Sequence, residues 1–251
     1  MASSIAQNFI YSGKKIIGIG RNYADVAKEL NNPVPKEPFF FLKPTTSYLL
    51  SGGKLEIPRG IVAHYEVELG FIIGKTGRDI SQANAEDYIA GYTLAVDMTA
   101  RNLQDQVKKQ GLPWSAAKGF DGFTPIRCVY GILLSLLQSA ISSNRSSQTF
   151  IPKHLIPDPH NLRLSLKINN EIKQNGSTSD MLFRIPRLIE HVSSIMTLEE
   201  GDLVLTGTPS GVGSVTPGDR VECSLTDETG KTLATLEFDA VLRQGTYEFQ
   251  P

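Results

Sequence analysis

The chain has 251 residues, of which 40% are hydrophobic and 20% are charged, and its formal net charge is -1. This is the composition of a globular protein, and the length suits one large domain with a core of its own. The near-zero charge gives no electrostatic reason to expect a nucleic acid or an anionic membrane surface as a partner, and the longest apolar runs are too short to span a bilayer.

Most of the N-terminal half is typical of short strands. The segment "KKIIGIG" (14–20) indicates a buried strand that ends at glycines, and "ADVAKELNN" (24–32) indicates a short helix after it. The segment 47–58 predicts a hairpin that turns at Ser51-Gly52-Gly53. Two longer apolar segments predict further strands, at 61–75 and 90–99.

The C-terminal half is also rich in strand signals. Residues 162–176 predict a hairpin that turns at Asn169-Asn170. Three more strands are expected, at 201–208, 219–225 and 231–242.

Helices are fewer. We expect Thr99 to cap a helix that ends at Gly111. A second helix, 185–196, has an apolar face formed by Ile185, Leu188, Ile189, Val192 and Ile195.

These strands do not alternate with regular crossover helices, which argues against a Rossmann or TIM architecture. We therefore predict a β-rich α+β fold, a roll or distorted barrel with a few short helices, in a single domain over 1–251. The segment 129–149 has no acidic residue and ends in a serine-rich run, which predicts a mobile surface insertion. Cys128 and Cys223 form no CxxC pattern and are expected to be buried free thiols.

Two glutamates in "HYEVELG" (64–70) are the first candidates for chemistry. Glu66 and Glu68 are two residues apart, so in a strand they leave the same face about 7 Å apart. They could form a solvated acidic face, but the apolar residues around them indicate a shielded strand, where Mg²⁺ or Mn²⁺ would offset their repulsion. Asp97, at the end of an apolar strand, is either a third ligand or an ordinary acid at a helix start. The four histidines lack zinc-site spacing.

Lys118 and Arg21 are further candidates, although each alone could be an ordinary surface charge. Lys118 lies in a loop rich in Gly, Pro and aromatic residues, and Arg21 follows the first strand. The segment "TGTPSGVG" (206–213) could present backbone N–H groups to an anion. It lacks the GK[ST] of a phosphate-binding loop, "GIGRNY" lacks the third glycine of a dinucleotide fingerprint, and no GxSxG motif occurs.

Five segments together resemble the fumarylacetoacetate hydrolase domain family: "GIGRNYADVAKEL", "PFFFLKPTTS", "HYEVELG", "AVDMTARNLQDQVKKQGLPWSAAKGFD" and "GDLVLTGTPSGVG". They occur in the family's order and cover the chain except for 129–149. The chain is most similar to the small mitochondrial members that act on oxaloacetate and acylpyruvates, and the segments 35–45 and 245–251 are fungal in character.

The resemblance implies a β-roll, a homodimer, a Mg²⁺ or Mn²⁺ ion and a small 2-oxo acid as substrate. It implies a mitochondrial location, although a cytoplasmic one is the alternative because no clear presequence is visible. By position, Glu66, Glu68 and Asp97 match the metal ligands, and Lys118 matches the lysine beside the metal. The remaining matched positions lie near the substrate or in the loop that closes the pocket: Arg21, Arg101, Gln104 and Thr208.

The chain departs from the family pattern at one position. Hydrolase members place a histidine three residues before a glutamate, and this pair activates water. Here the glutamate is present as Glu29, but Val26 replaces the histidine. Hydrolysis of an acylpyruvate should suffer most from this loss.

Keto–enol tautomerisation of oxaloacetate needs only enolate stabilisation and a proton carrier, for which Lys118 and Glu29 are candidates. We therefore expect an oxaloacetate tautomerase. The alternatives are an acylpyruvate hydrolase, an oxaloacetate decarboxylase and a catalytically impaired ligand-binding protein.

Overall fold

The structure is a computed structural model that describes residues 2–29, 33–127 and 149–250. The described residues form sixteen strands in three sheets. The strands are β1 Ile16–Gly20, β2 Phe39–Lys43, β3 Tyr48–Leu50, β4 Lys54–Ile57, β5 Ala63–Tyr65, β6 Val67–Ile73, β7 Ile89–Val96, β8 Thr99–Ala100, β9 Thr124–Ile126, β10 Ile151–Pro152, β11 Arg163–Ile168, β12 Glu171–Ser177, β13 Leu203–Leu205, β14 Gly213–Val215, β15 Arg220–Thr226 and β16 Thr232–Leu242.

Helices within the described residues are short, and the longest has eleven residues. The α-helices are α1 Ser4–Gln7, α2 Phe9–Ser12, α3 Ala24–Glu29, α4 Arg101–Lys109, α5 Ser115–Lys118 and α6 Ile185–Ile195. Single 3₁₀ segments lie at Thr45–Ser47, Gln82–Tyr88, Lys153–Leu155 and Thr178–Asp180. None of the helices in the described ranges combines the length and the apolar character that a membrane span requires. The β-rich α+β fold predicted from the sequence is confirmed.

The largest sheet has the strand order β2-β1-β13-β6-β7-β9-β3, with β10 paired to β7. Its central strand β6 is buried along its whole length because both faces of the sheet are covered. One face packs against the five-stranded sheet, which has the order β12-β11-β15-β16-β4. On the other face, α1 and α2 contribute Ala6 and Phe9 to a second apolar cluster. This explains why 67–73 is a nearly continuous apolar run instead of an alternating one.

The five-stranded sheet contains the predicted hairpin at 162–176. Strands β11 and β12 pair antiparallel, and the turn residues Asn169 and Asn170 have φ values of 50° and 68°. Two consecutive positive φ angles are the requirement of the tightest hairpin turn, and asparagine tolerates them better than most residues. This prediction is confirmed. The third sheet is small, with the order β14-β5-β8.

The predicted hairpin at 47–58 is wrong. Strand β3 pairs in parallel with β9 in the large sheet, whereas β4 pairs in parallel with β16 in the five-stranded sheet. The turn at Ser51-Gly52-Gly53 does exist, and Gly52 has a φ of 83°, but it carries the chain from one sheet to the other. A turn signal identifies a reversal of the chain without identifying the strands that pair beyond it.

The three predicted helices exist as α3, α4 and α6, and the predictions for α4 and α6 each contain one error. Thr99 does not cap α4, because it lies in β8 and its hydroxyl donates to Glu66. Four residues of the expected apolar face of α6 are buried, but Ile195 is 59% exposed because it lies in the last turn. Cys223 is buried, as expected. Cys128 and the insertion predicted at 129–149 lie outside the described residues, except for Thr149.

Candidate active site

Three carboxylates meet where β6 begins and the neighbouring strand β7 ends. Glu66 lies directly before β6, Glu68 is its second residue, and Asp97 directly follows β7. The two strands are antiparallel neighbours, with Glu68 opposite Ala95, and the Asp97 N–H donates to the Glu66 carbonyl at 2.8 Å. One carboxylate oxygen of each residue lies within 4.8 Å of the others. The strand register therefore brings together residues that are about thirty positions apart in the sequence.

Three cationic side chains contact this carboxylate triad, which is formed by Glu66, Glu68 and Asp97. Lys118 Nζ lies 2.5 Å from Asp97 Oδ2 and 3.3 Å from Glu66 Oε2. Arg101 Nη2 donates to Glu66 Oε1 at 2.8 Å. Burial alone would raise the pKa of Glu66, but the charges of Lys118 and Arg101 outweigh it and lower the pKa to about 2.

Lys43 is the third cation, and its Nζ lies 2.5 Å from Asp97 Oδ1. No motif in the sequence points to Lys43 as a site residue. The only signal for it is a charged residue at an inward position of β2, where Phe41 and Lys43 are both buried. A lysine there requires a buried partner, and that partner is Asp97.

Glu68 differs from the other two carboxylates. Its side chain is buried, and none of the ion pairs within the described ranges includes it. The Gly207 N–H donates to Glu68 Oε2 at 2.7 Å. Burial, followed by the charges of Asp97 and Glu66, raises the pKa of Glu68 well above its usual range. This carboxylate lacks the positive charge that its two neighbours have.

The donor set of the triad fits a divalent cation. Carboxylate oxygens are the ligands that Mg²⁺ and Mn²⁺ prefer, and an ion among them would supply the charge that Glu68 lacks. No other group of three acidic, histidine or cysteine side chains in the described part of the chain is arranged closely enough to hold a metal. Glu66, Glu68 and Asp97 would hold the ion.

Two members of the triad, Glu66 and Glu68, lie in the wall of a cavity of about 310 Å³. Lys118 reaches the same cavity, where its ammonium group lies 4.7 Å from the centre of the Phe41 ring. The other lining residues include Arg21, Val26, His64, Arg101, Gln104, Trp114 and Thr208. The cavity is small and polar on the side of the carboxylates, which suits a small anionic molecule that approaches a metal ion.

Arg21 lies in the cavity wall in an unusual backbone conformation. Its φ is 59°, in the left-handed region that residues other than glycine rarely adopt. The next residue, Asn22, donates from Nδ2 to the carbonyls of Phe183 and Thr206 and so fixes the turn. The Arg21 guanidinium lies 5.9 Å from the Phe39 ring and 6.0 Å from the Trp114 ring, and its Nε is buried without a hydrogen-bond partner in the described residues. The Arg21 guanidinium is therefore held in the cavity wall with a free N–H donor that an anion could accept from.

Arg101 connects the triad to two further polar side chains, Gln104 and His64. Its Nη1 donates to Gln104 Oε1 at 2.6 Å, and its Nε donates to His64 Nδ1 at 3.3 Å. Burial, and then the charge of Arg101, lowers the pKa of His64 to about 4. His64 is therefore neutral at physiological pH and accepts a hydrogen bond, a role that its position in "HYEVELG" does not reveal.

The sequence model described as "Fumarylacetoacetate (FAA) hydrolase C-terminal" matches residues 15–239. The chain belongs to the fumarylacetoacetate hydrolase family. Two curated relatives within this family are similar over nearly their full lengths. "Oxaloacetate decarboxylase, mitochondrial" from Dictyostelium discoideum is 48% identical over 94% of this chain and 98% of its own. "Oxaloacetate tautomerase FAHD1, mitochondrial" from Arabidopsis thaliana is 47% identical over 97% of this chain and 98% of its own. Their names support the mitochondrial location that the resemblance implies.

Solved structures of the fumarylacetoacetate hydrolase family have the same fold. A yeast family member aligns with a TM-score of 0.78 at 35% identity and covers 98% of this chain and 100% of its own. The 2-hydroxyhepta-2,4-diene-1,7-dioate isomerase from Mycobacterium marinum aligns with a TM-score of 0.72 at 32% identity, over 92% of this chain and 76% of its own.

The structure places most of the residues matched to the family pattern around one cavity. Seven of the nine predicted site residues line it, namely Glu66, Glu68, Lys118, Arg21, Arg101, Gln104 and Thr208. Asp97 is buried directly behind Lys118 and Glu66. Their roles as ligands and substrate contacts stay predictions.

Helix α3 carries Val26, the position at which the resemblance predicts a departure from the hydrolase pattern. Val26 is 6% exposed and lines the cavity, so this part of the cavity wall is apolar. Glu29 is exposed, does not line the cavity, and accepts a hydrogen bond from the Gly211 N–H at 3.0 Å. The structure does not bring Glu29 to the carboxylate triad.

Proposed function

We propose that this chain is a divalent-metal-dependent enzyme that interconverts the keto and enol forms of oxaloacetate. The observation that carries the proposal is the carboxylate triad with Lys118 in contact, of which Glu66, Glu68 and Lys118 line a cavity that Val26 lines instead of a water-activating base. Relatives of nearly the same length that are named oxaloacetate tautomerase support it.

A Mg²⁺ or Mn²⁺ ion bound by Glu66, Glu68 and Asp97 would polarise the 2-oxo group and stabilise the enolate. Lys118 would add to this effect, because the nearby carboxylates outweigh the desolvation that opposes its charge and raise its pKa. A charged ammonium group stabilises negative charge on an enolate oxygen and can deliver a proton to C3 when the enol is converted to the ketone, and the proton that leaves the enol oxygen then restores the ammonium group. Glu29 is the second candidate carrier, but its position outside the cavity lining favours Lys118.

The charge balance of the site favours a small dianion as the substrate. The three carboxylates are matched by three cations in direct contact, namely Lys43, Lys118 and Arg101. A divalent metal ion would then give this cluster of three carboxylates and three cations a net charge of +2, which the two carboxylates of oxaloacetate would neutralise. Arg21 in the cavity wall offers a contact for the carboxylate that does not reach the metal. Gln104 and Thr208 are the other proposed substrate contacts.

Two other reactions use the same enolate. A relative 48% identical to this chain is named oxaloacetate decarboxylase, so decarboxylation is the second candidate. Hydrolysis of an acylpyruvate requires an activated water, and Val26 cannot accept a proton, so we rank hydrolysis lower. A catalytically impaired protein that only binds the ligand is the last alternative.

The test follows the absorbance of enol-oxaloacetate as it decays in the presence of the purified chain. We expect Mg²⁺ to accelerate the decay, EDTA to abolish the acceleration, and Glu66→Ala to lose it. Glu56→Ala is the matched control, because Glu56 lies in β4 and is exposed. Pyruvate measured in the same samples separates decarboxylation from tautomerisation. If no variant or metal changes the rate of decay, the tautomerase proposal is rejected.

We also infer that the enzyme acts in mitochondria and as a homodimer, both of which the family resemblance implies. Analytical ultracentrifugation of the purified chain tests the dimer, and a sedimentation coefficient of a monomer across the accessible concentration range would contradict it.

A further inference from the structure

Gln174 joins the five-stranded sheet to the carboxylate triad through three hydrogen bonds. It lies in β12 and is 1% exposed. Its Oε1 accepts from the Val67 N–H at 3.0 Å. Its Nε2 donates to Thr208 Oγ1 at 2.8 Å and to the Pro209 carbonyl at 2.7 Å. Both N–H groups of the Gln174 amide therefore donate a hydrogen bond, and its oxygen accepts one.

The contacts of Gln174 close a ring with Val67 and Thr208. The Val67 N–H donates to Gln174, Gln174 donates to the Thr208 hydroxyl, and that hydroxyl donates to the Val67 carbonyl at 2.8 Å. A reversed amide would place two donors against each other at Val67 and two acceptors at Pro209, so the ring fixes one orientation. The Thr208 hydroxyl donates its single proton inside the ring, so the proposed contact of Thr208 with the substrate must use a group other than this O–H.

This ring lies at the point where β6 is no longer paired with β13, while β7 still pairs with its other edge. The Thr206 N–H still donates to the Leu69 carbonyl, as in a sheet, but the next residue, Gly207, donates to the Glu68 side chain instead. Beyond this point, the chain that follows β13 diverges, and the backbone groups of Val67 require other partners. The side chains of Gln174 and Thr208 supply them. Val67 lies between Glu66 and Glu68, so the ring holds the backbone that carries two members of the triad.

Close packing fixes the same loop against β12 on both sides of Gln174. A Cβ added to Gly211 would lie 2.0 Å from the Lys173 carbonyl oxygen, and one added to Gly176 would lie 2.3 Å from the Pro209 Cβ. The loop 206–213 and β12 therefore lie so close together that neither Gly211 nor Gly176 has room for a side chain. A shift of either segment would move the other.

We propose that Gln174 is a positioning residue that fixes the Glu66–Val67–Glu68 backbone and the loop at Thr208 in one arrangement competent to bind a divalent metal. This inference rests on the metal site of the proposed function, although Gln174 touches neither the triad side chains nor the cavity. Residues that orient metal ligands from behind commonly change metal affinity when they are replaced.

The experiment measures Mn²⁺ affinity by electron paramagnetic resonance of free Mn²⁺, with no substrate present. Gln174→Met removes all three hydrogen bonds at similar side-chain volume, and we expect it to weaken Mn²⁺ binding by about 10-fold to 100-fold in the folded chain. Asn175→Leu is the matched control, because Asn175 is the next amide in β12 and is exposed. Gln174→Glu, which retains the shape and replaces the donor by an acceptor, is the second variant if Gln174→Met does not fold.

A double variant tests the ring directly. If Gln174 and Thr208 act as one unit, Gln174→Met combined with Thr208→Val weakens Mn²⁺ binding no more than the worse single variant. Additive effects would contradict the ring, and an unchanged Mn²⁺ Kd in a folded but less stable Gln174→Met chain would show a merely structural role. If Mn²⁺ binding weakens as expected but wild-type protein has no tautomerase activity, the inference stands and the proposed function fails. If wild-type protein binds no Mn²⁺, the inference is overturned as well.

Discussion

Lys43 and Asp97 form an ion pair that is almost completely removed from solvent. Their side chains are 0% and 2% exposed, and Lys43 Nζ lies 2.5 Å from Asp97 Oδ1. The same ammonium group donates to the Phe123 carbonyl at 2.5 Å, while the other oxygen of Asp97 accepts from Lys118. Asp97 is therefore held between two ammonium groups, which fixes its orientation towards Glu66 and Glu68.

Replacing Lys43 should destabilise the fold even without metal. We expect Lys43→Met to lower the free energy of unfolding by about 3 kcal/mol, because it leaves a buried carboxylate with one cation instead of two and a carbonyl without its donor. Urea unfolding in the presence of EDTA measures the change. Lys54→Met is the control at an exposed position of β4 and should change the stability by less than about 0.5 kcal/mol. If Lys43→Met and Lys54→Met lower the free energy of unfolding equally, the buried Lys43–Asp97 pair does not stabilise the fold.

Glu68 should be unfavourable for stability when no metal is bound. In EDTA, we expect Glu68→Gln to raise the free energy of unfolding by about 1 kcal/mol, because burial and the charges of Asp97 and Glu66 oppose ionisation of this carboxyl in the folded chain, and a neutral amide carries no such penalty. Glutamine retains an oxygen that can accept from the Gly207 N–H. With Mn²⁺ at about 100 times its Kd, wild-type protein should gain about 2.7 kcal/mol and become the more stable of the two.

Urea unfolding of both proteins with EDTA and with Mn²⁺ tests this reversal. Glu56→Gln, at an exposed position, should behave as wild type in both buffers. A Glu68→Gln protein that gains as much stability from Mn²⁺ as wild type does would remove Glu68 from the ligand set.

Sequence patterns identified the carboxylate triad because its geometry is local to two strands. Glu66 and Glu68 share a strand face by their spacing alone, and the end of an apolar strand marks Asp97. The antiparallel pairing of β6 and β7 then brings Asp97 to Glu66. The turn at Asn169-Asn170 was predictable for the same reason, since the residues of the turn carry its full signal.

The contacts that support the triad could not be predicted from local patterns. Lys43 and Asp97 are 54 positions apart, and Gln174 and Val67 are 107 positions apart. Neither pair has a spacing that a helix or a strand would produce. The Thr99 hydroxyl suits a helix cap, but Thr99 lies in β8, two residues before α4 begins, and its hydroxyl donates to Glu66.

The N-terminus of α6 should respond to pH. The Ile185 N–H donates to His160 Nε2 at 3.1 Å, so this nitrogen must be unprotonated. Burial, and then the charge of Arg184, lowers the pKa of His160, while Asp158 and Glu86 partly offset the shift. The folded chain therefore binds fewer protons here than the unfolded chain, whose histidine has a pKa of about 6.5. The stability contributed by neutral His160 is present above that pH and is lost as the pH falls below it.

Thermal unfolding between neutral and mildly acidic pH measures this effect. We expect the Tm of wild-type protein to fall with the pH more steeply than that of His160→Gln. His154→Gln is the matched control at an exposed position and should keep the wild-type slope. If all three proteins have the same slope, then His160 does not stabilise α6 through its neutral form.

Restoring a histidine at position 26 should favour hydrolysis. Val26 faces the cavity from α3, and Glu29 lies three residues later, so a histidine at 26 would have a carboxylate one helical turn away to orient it. We expect Val26→His to increase acylpyruvate hydrolysis by about 10²-fold, because a general base contributes at least that factor, and to make the rate rise through a pKa of about 6.5. Val26→Asn, which is polar but cannot act as a base, is the control and should not hydrolyse faster than wild type. If Val26→His is folded and binds Mn²⁺ but gains no hydrolysis, the missing histidine is not what separates this chain from the hydrolases of its family.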